Sequence, residues 1–402
     1  MNRPVRSADP GRSARIAHRM SEIEPFHVID VFTRAMELES AGRSIVYMAV
    51  GEPDFPTPQP ILDAAQVFLK GGRVPYTQSL GVPALRTAIA DFYRERFDVV
   101  VPAQRIVVTA GASAALLLAL GVLVDPGDEV LMADPGYPCN RQFVRAMSGV
   151  PRTLPAGPAE HYQLSAEQVR RHWGPHTVGA IVASPSNPCG TTIATDELAR
   201  IAGEVDARNG RLVVDEIYLG LSYDGLATSA LSLSSELFVV NSFSKYFHMT
   251  GWRLGWLVVP ETYVREVEKL AQNLYISPST IAQQAALAAF GPETIDIVEA
   301  RRREFKARRD YVVPELRRLG FGVPITPEGA FYVYADCSAF TDDSYAFAFE
   351  ALEQAGVAFT PGRDFGDHLP ERHIRFTYAN SLENLKEGIA RLERWLAGRR
   401  GA

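Results

Sequence analysis

Lys245 stands in the run Asn241-Ser242-Phe243-Ser244-Lys245, just past an apolar stretch at 237–240 that reads as a buried strand. Burying an ammonium is costly, so a lysine there either turns out to solvent, as most loop lysines do, or loses its proton. A neutral amine can form a Schiff base with an aldehyde. Ser242 and Arg253 flank it with a hydroxyl and a guanidinium, a pair suited to a phosphate. Gly111-Ala112-Ser113 offers a second anion-binding feature. A glycine turn from strand into helix leaves N–H groups and the positive end of the helix dipole facing outward. Asp215 closes another apolar run, where a carboxylate is costly unless it is paired. Arg375, inside the alternating stretch at 373–378, is either a surface residue of an edge strand or a fixed fork for a planar carboxylate.

These residues need a scaffold that brings them together. From 106 to 260, short β-branched runs at 106–109, 129–132, 180–183, 212–214 and 237–240 alternate with helical patterns. Leu198, Ile201, Ala202 and Val205 fall at the spacing of one apolar helix stripe. Continuous apolar strands between helices predict an α/β fold with a mostly parallel sheet buried on both faces. A polar cluster follows each strand: 111–113, 134–137, 184–187, 215–218 and 242–245. Ligands of open α/β sheets bind beyond the carboxyl ends of the strands, so the five clusters predict one pocket. Past 260 the pattern changes to a smaller α+β unit. It has a charge-rich helix at 301–318 with a bend expected near Pro314, strands at 331–334 and 373–378, and a last helix capped by Ser381.

With its spacing and company, the lysine segment Ser242-Phe243-Ser244-Lys245 through Arg253 resembles that of the fold-type I pyridoxal-phosphate aminotransferases of class I/II, in the aspartate and aromatic branch. Further segments in the same order carry the resemblance: Gly51 to Pro58, Pro75 to Gln78, Thr109 to Ala114, Asp134 to Pro138, Ser184 to Gly190, Val214 to Tyr218 and His373 to Tyr378. It spans nearly the whole chain. The resemblance implies pyridoxal 5′-phosphate held on Lys245, with its phosphate on Gly111, Ala112, Ser113, Ser242 and Arg253. It implies Tyr137 stacked on the ring, Asp215 facing the ring nitrogen, and Asn187 and Tyr218 bonded to the phenolic oxygen. The substrate carboxylate is expected on Arg375, near Gly51 and Asn187, and Tyr76 is expected to reach the partner's cofactor in a homodimer. Cys189 stands where the family often has threonine. The implied architecture is a seven-stranded-type sheet in a large domain, 57–299, and a discontinuous small domain, 15–56 with 300–402.

The expected reaction is ping-pong transfer of an amino group between an amino acid and a 2-oxo acid, with a carbon–sulfur β-lyase on the same fold as the alternative. Dicarboxylate-specific relatives carry a lysine where this chain has Ser113, or a partner's arginine where 272–278 offers no basic residue. The expected amino acid is therefore neutral, aliphatic or aromatic.

Composition narrows the field further. The 402 residues are 47% hydrophobic and 22% charged with a net charge of −6, which argues against a nucleic-acid binder. The longest strongly apolar stretch, 114–124, falls short of the ~20 residues of a membrane span. Three cysteines without ligand spacing indicate neither a disulfide framework nor a metal site, so a cytoplasmic protein is expected. The arginine-rich start, broken by Asp9, Pro10 and Gly11, reads as a flexible tail over 1–14, although transit peptides share that composition. No G-x-G-x-x-G opens the first strand-to-helix turn, which removes a nicotinamide dehydrogenase. The roughly 50 residues before Gly51 are too few for the DNA-binding head of an aminotransferase-like regulator.

Overall fold

The computed structural model describes residues 15–225 and 228–400; the tail expected at 1–14 lies outside the described residues. Among the described residues twelve strands follow in chain order: β1 Val46–Tyr47, β2 Ile106–Thr109, β3 Glu129–Asp134, β4 Val150–Pro155, β5 Thr177–Ala183 and β6 Arg211–Asp215. They continue as β7 Phe238–Ser242, β8 Gly255–Val258, β9 Tyr332–Asp336, β10 Val357–Ala358, β11 Thr360–Pro361 and β12 His373–Thr377.

Seven of them form one sheet in the order β2-β8-β7-β6-β5-β3-β4. All its pairings are parallel except those of β8, which runs antiparallel to both β2 and β7. The α/β class and the mostly parallel sheet therefore stand. Alternate residues feed two cores. Val108, Leu131, Val182, Val214 and Val239 pack on one face, and Val107, Met132, Ile181, Val213 and Val240 pack on the other under the helix Gly111–Leu123. Period-two alternation with both sets apolar is what a sheet covered by helices on both sides demands.

The register of β8 does most to position the site. Gly255 pairs with Thr109 at the end of β2 and with Ser242 at the end of β7. The glycine turn after β2, the lysine loop after β7 and the arginine loop before β8 thus open at one place. A side chain at position 255 would not fit, because its Cβ would stand 2.8 Å from Asn241 O and 2.9 Å from Ala112 N.

A three-stranded antiparallel sheet, β11-β12-β9, and the parallel pair β1-β10 make up the rest of the β-structure. The first α-helix, His27–Ser40, packs against β10 and β11. The charge-rich segment is part of a longer helix, Pro292–Leu319, which runs on past Pro314. The last helix, Leu382–Arg400, is capped as expected, with Ser381 Oγ accepting Asn384 N–H at 3.2 Å. No helix among the described residues is long and apolar enough to cross a membrane, and no cluster of metal-ligating side chains occurs among them.

Candidate active site

Beyond the strand ends lies a cavity of ≈ 1070 Å³, its open mouth included, whose lining includes Gly51, Ala112, Ser113, Tyr137, Asn187, Asp215, Tyr218, Lys245, Arg253 and Arg375. Segments up to 349 positions apart in the chain meet there, among them the strand-end clusters.

At one end the backbone makes an anion cradle. Gly111 starts its helix at φ +80°, a conformation glycine adopts without strain, and the first N–H groups of the helix have no partner within it. Arg253, itself at φ +53°, donates Nη1–H to Thr250 O at 3.0 Å and lies against the glycine. A Cβ on Gly111 would come within 2.6 Å of Arg253 Nη2. Ser244 and Thr250 complete this end. Ser242, expected on the phosphate, is the last residue of β7. Its Oγ lies 3.1 Å from Leu254 O, accepts Ser244 N–H at 3.0 Å, and does not line the cavity.

Lys245 occupies the middle. Its Nζ donates to Gly51 O at 2.6 Å. Burial pulls its pKa down to about 8; Glu52 opposes that fall, while Arg375 and Arg253 add to it. Asp215, at the end of β6, accepts Ile217 N–H at 3.0 Å, and burial pushes its pKa up to about 6 against that bond and the nearby Lys245. The Tyr218 hydroxyl sits 2.8 Å from that of Tyr332, and burial holds both phenols in their neutral form.

Arg375, in β12, forms the far end. Nη1 donates to Asn187 Oδ1 at 2.9 Å and Nη2 donates to Ala49 O at 2.8 Å. The guanidinium carbon lies 4.4 Å from the Tyr332 ring centre and 4.8 Å from that of Phe365. The residue is 6% exposed, its hydrogen-bond partners are neutral, and its buried Nε has none. A buried cation held this way is set to receive an anion. Gly51 lies close by, since a Cβ there would come within 2.8 Å of Tyr332 Oη.

The aminotransferase class I and II family pattern matches residues 43–392. The chain belongs to that family. Valine–pyruvate aminotransferase of Mycobacterium tuberculosis is 39% identical over 384 residues, 95% of this chain and 98% of that protein. Aspartate/prephenate aminotransferase of Thermus thermophilus is 34% identical over 384 residues, 95% and 98% of the two chains. The crystal structure of an aminotransferase from Mycobacterium tuberculosis superposes with a TM-score of 0.92 at 39% identity, covering 96% of this chain and all of the other.

The aminotransferase uses pyridoxal phosphate, and its cavity fits that group on independent grounds. The cradle at Gly111 and Arg253 suits the phosphate, a lysine with a depressed pKa suits the aldehyde, and a buried acid suits a cationic ring nitrogen. Of the residues expected at the site, Gly111 only borders the cavity, through Arg253, and Ser242 stands behind it. Tyr76 is 79% exposed and lies outside its own chain's cavity. Other lining residues were not expected at the site, among them Phe26, Val28, Leu116, Tyr332, Thr360, Asp364 and Phe365. Tyr332 was legible only as part of a strand, and Phe26, Val28, Thr360, Asp364 and Phe365 lie in segments without motif chemistry.

Proposed function

We propose that this aminotransferase takes its amino group from a neutral amino acid, aliphatic or aromatic, and passes it to a 2-oxo acid in a ping-pong cycle. One observation carries the substrate reading. The cations lining the cavity among the described residues are Lys245, Arg253 and Arg375, and each has a use: amine, phosphate and α-carboxylate. None remains for a second carboxylate. At the Arg375 end the remaining surface is Phe26, Val28 and Phe365, with Asp364 as the charged neighbour. Burying an acidic side chain there would lose its hydration without a countercharge. The relative named for valine and pyruvate supports this choice.

When bound, pyridoxal phosphate supplies an aldehyde that takes the amino group and a ring that accepts the electrons of the broken C–H bond. The chain's residues do the rest. Arg375 grips the α-carboxylate and so orients the α-C–H bond. Lys245 Nζ, released from the cofactor and neutral because it is buried, takes the proton from the α-carbon and later returns a proton during transfer. Asp215 keeps a proton on the ring nitrogen by its charge, and Tyr218 and Asn187 hold the ring's phenolic edge. Both acids use the same site in turn, which makes the kinetics ping-pong.

We assign the chain a homodimeric, cytoplasmic form. Tyr76, exposed in the single chain, then serves the partner's cofactor phosphate, and the three cysteines stay reduced. The segments 15–56 and 300–402 are read as one small domain against 57–299, an arrangement supported by the pairing of β1 with β10. The test is a donor panel run as single half-reactions. Valine, leucine or phenylalanine should convert the bound cofactor to its amino form well ahead of aspartate; aspartate leading every neutral donor would reverse the assignment.

A further inference from the structure

The first α-helix begins at the cavity, held there by a residue from the other end of the chain. Asp364 follows β11 and is 4% exposed. Its Oδ1 accepts His27 N–H at 2.7 Å and its Oδ2 accepts Val28 N–H at 2.8 Å. These N–H groups belong to the first helical turn and have no acceptor within the helix, so a carboxylate satisfies both and complements the helix dipole. Asp364 is itself fixed, because its carbonyl accepts Arg141 Nη2–H at 3.2 Å.

The consequence is positional. Phe26 immediately precedes the helix, Val28 lies in its first turn, and both residues line the cavity together with Phe365. Phe365 touches the Arg375 guanidinium, so this apolar group adjoins the cation that takes the α-carboxylate. Phe26 remains 38% exposed, an aromatic ring at the cavity mouth with surface still to cover. A substrate gripped at Arg375 carries its side chain on the next carbon, beside this group.

We propose that Asp364 is a positioning residue for substrate selection. Its carboxylate pins the helix start so that Phe26 and Val28, with Phe365, form an apolar wall for the substrate side chain. The proposal rests on the reading of Arg375 as the carboxylate clamp. It adds which residues choose the side chain and what holds them in place. An acidic side chain at this wall meets the Asp364 charge as well as apolar surface, and both disfavour it.

The test compares valine, phenylalanine and aspartate as donors for the holoenzyme and for Phe26→Ala, Val28→Ala and Asp364→Asn. The two alanine variants should raise KM for valine or phenylalanine about tenfold while kcat stays within about threefold. Asp364→Asn turns one acceptor into a donor facing an N–H group and removes the charge. It should raise the same KM values and lower the preference for phenylalanine over aspartate by roughly tenfold. A residue with a merely structural role would lower kcat alike for all donors. Unchanged KM and unchanged preference in the two alanine variants would overturn the proposal, whether or not Asp364→Asn folds. Failure of the underlying reading looks different: there Arg375→Lys would leave every donor unaffected in the parent background.

Discussion

Replacing Arg375 by lysine keeps a positive charge and removes the fork. In the structure the guanidinium uses Nη1 on Asn187 and Nη2 on Ala49 O, and its ring-stacked plane is fixed between Tyr332 and Phe365. An ammonium on a flexible stem can meet one carboxylate oxygen but not two in a fixed plane, and it leaves Asn187 or Ala49 O without a donor. A hydrogen bond to a charged group is worth about 1.5–3 kcal/mol, so losing two at the weaker end of that range costs roughly 3–4 kcal/mol. At about 1.4 kcal/mol per decade, kcat/KM for an amino acid should fall ~10²–10³-fold. The assay is a rapid-mixing half-reaction with phenylalanine, run beside phenethylamine, the same molecule without its carboxylate. Phenethylamine should react equally slowly with parent and variant, and cofactor affinity should hold. A variant within threefold of the parent on phenylalanine would refute the assignment of Arg375.

Other consequences can be checked in the same system. Asp215→Asn should keep the cofactor on Lys245 yet lose roughly 10²–10³-fold in kcat, because an amide cannot hold the ring nitrogen protonated; single-turnover rates decide it. Gly111→Ala forces a side chain to φ +80° and against Arg253, a strain of about 1–2 kcal/mol before any displacement of the arginine. Its affinity for pyridoxal phosphate, followed by visible absorbance, should drop about tenfold or more; parent affinity would deny the cradle. In the cofactor-free protein, burial disfavours the charged form of Lys245, so the neutral, reactive amine predominates above pH about 8 rather than only above its ordinary 10.5. The rate of pyridoxal phosphate capture should therefore rise with pH and level off just above 8, whereas an unperturbed lysine would keep accelerating to pH 10.

Local chemistry made much of the site readable. Lys245, Asp215 and Gly111 sit at the ends of short apolar runs, and the strand-end rule alone sends them to one place. What escaped was set by tertiary context. β4 carries Pro151 and Pro155 and had no sequence assignment; the structure tolerates them because β4 is an edge strand with one neighbour. β8 is four residues long and follows directly on the lysine-to-arginine segment, so neither its reversed direction nor its role in joining β2 to β7 had a local sign. Asp364 meets His27 across 337 positions, a pairing no periodicity within either segment encodes.

Borohydride reduction of the holoenzyme followed by peptide mapping tests the core of the account most directly. Hydride converts an imine to a stable secondary amine, so the mapped lysine is the one that held the coenzyme. The account predicts stoichiometric pyridoxyl label on the peptide containing Lys245 and none in Lys245→Ala. Label on a different lysine, or a colourless protein that takes no label after incubation with pyridoxal phosphate, would contradict it.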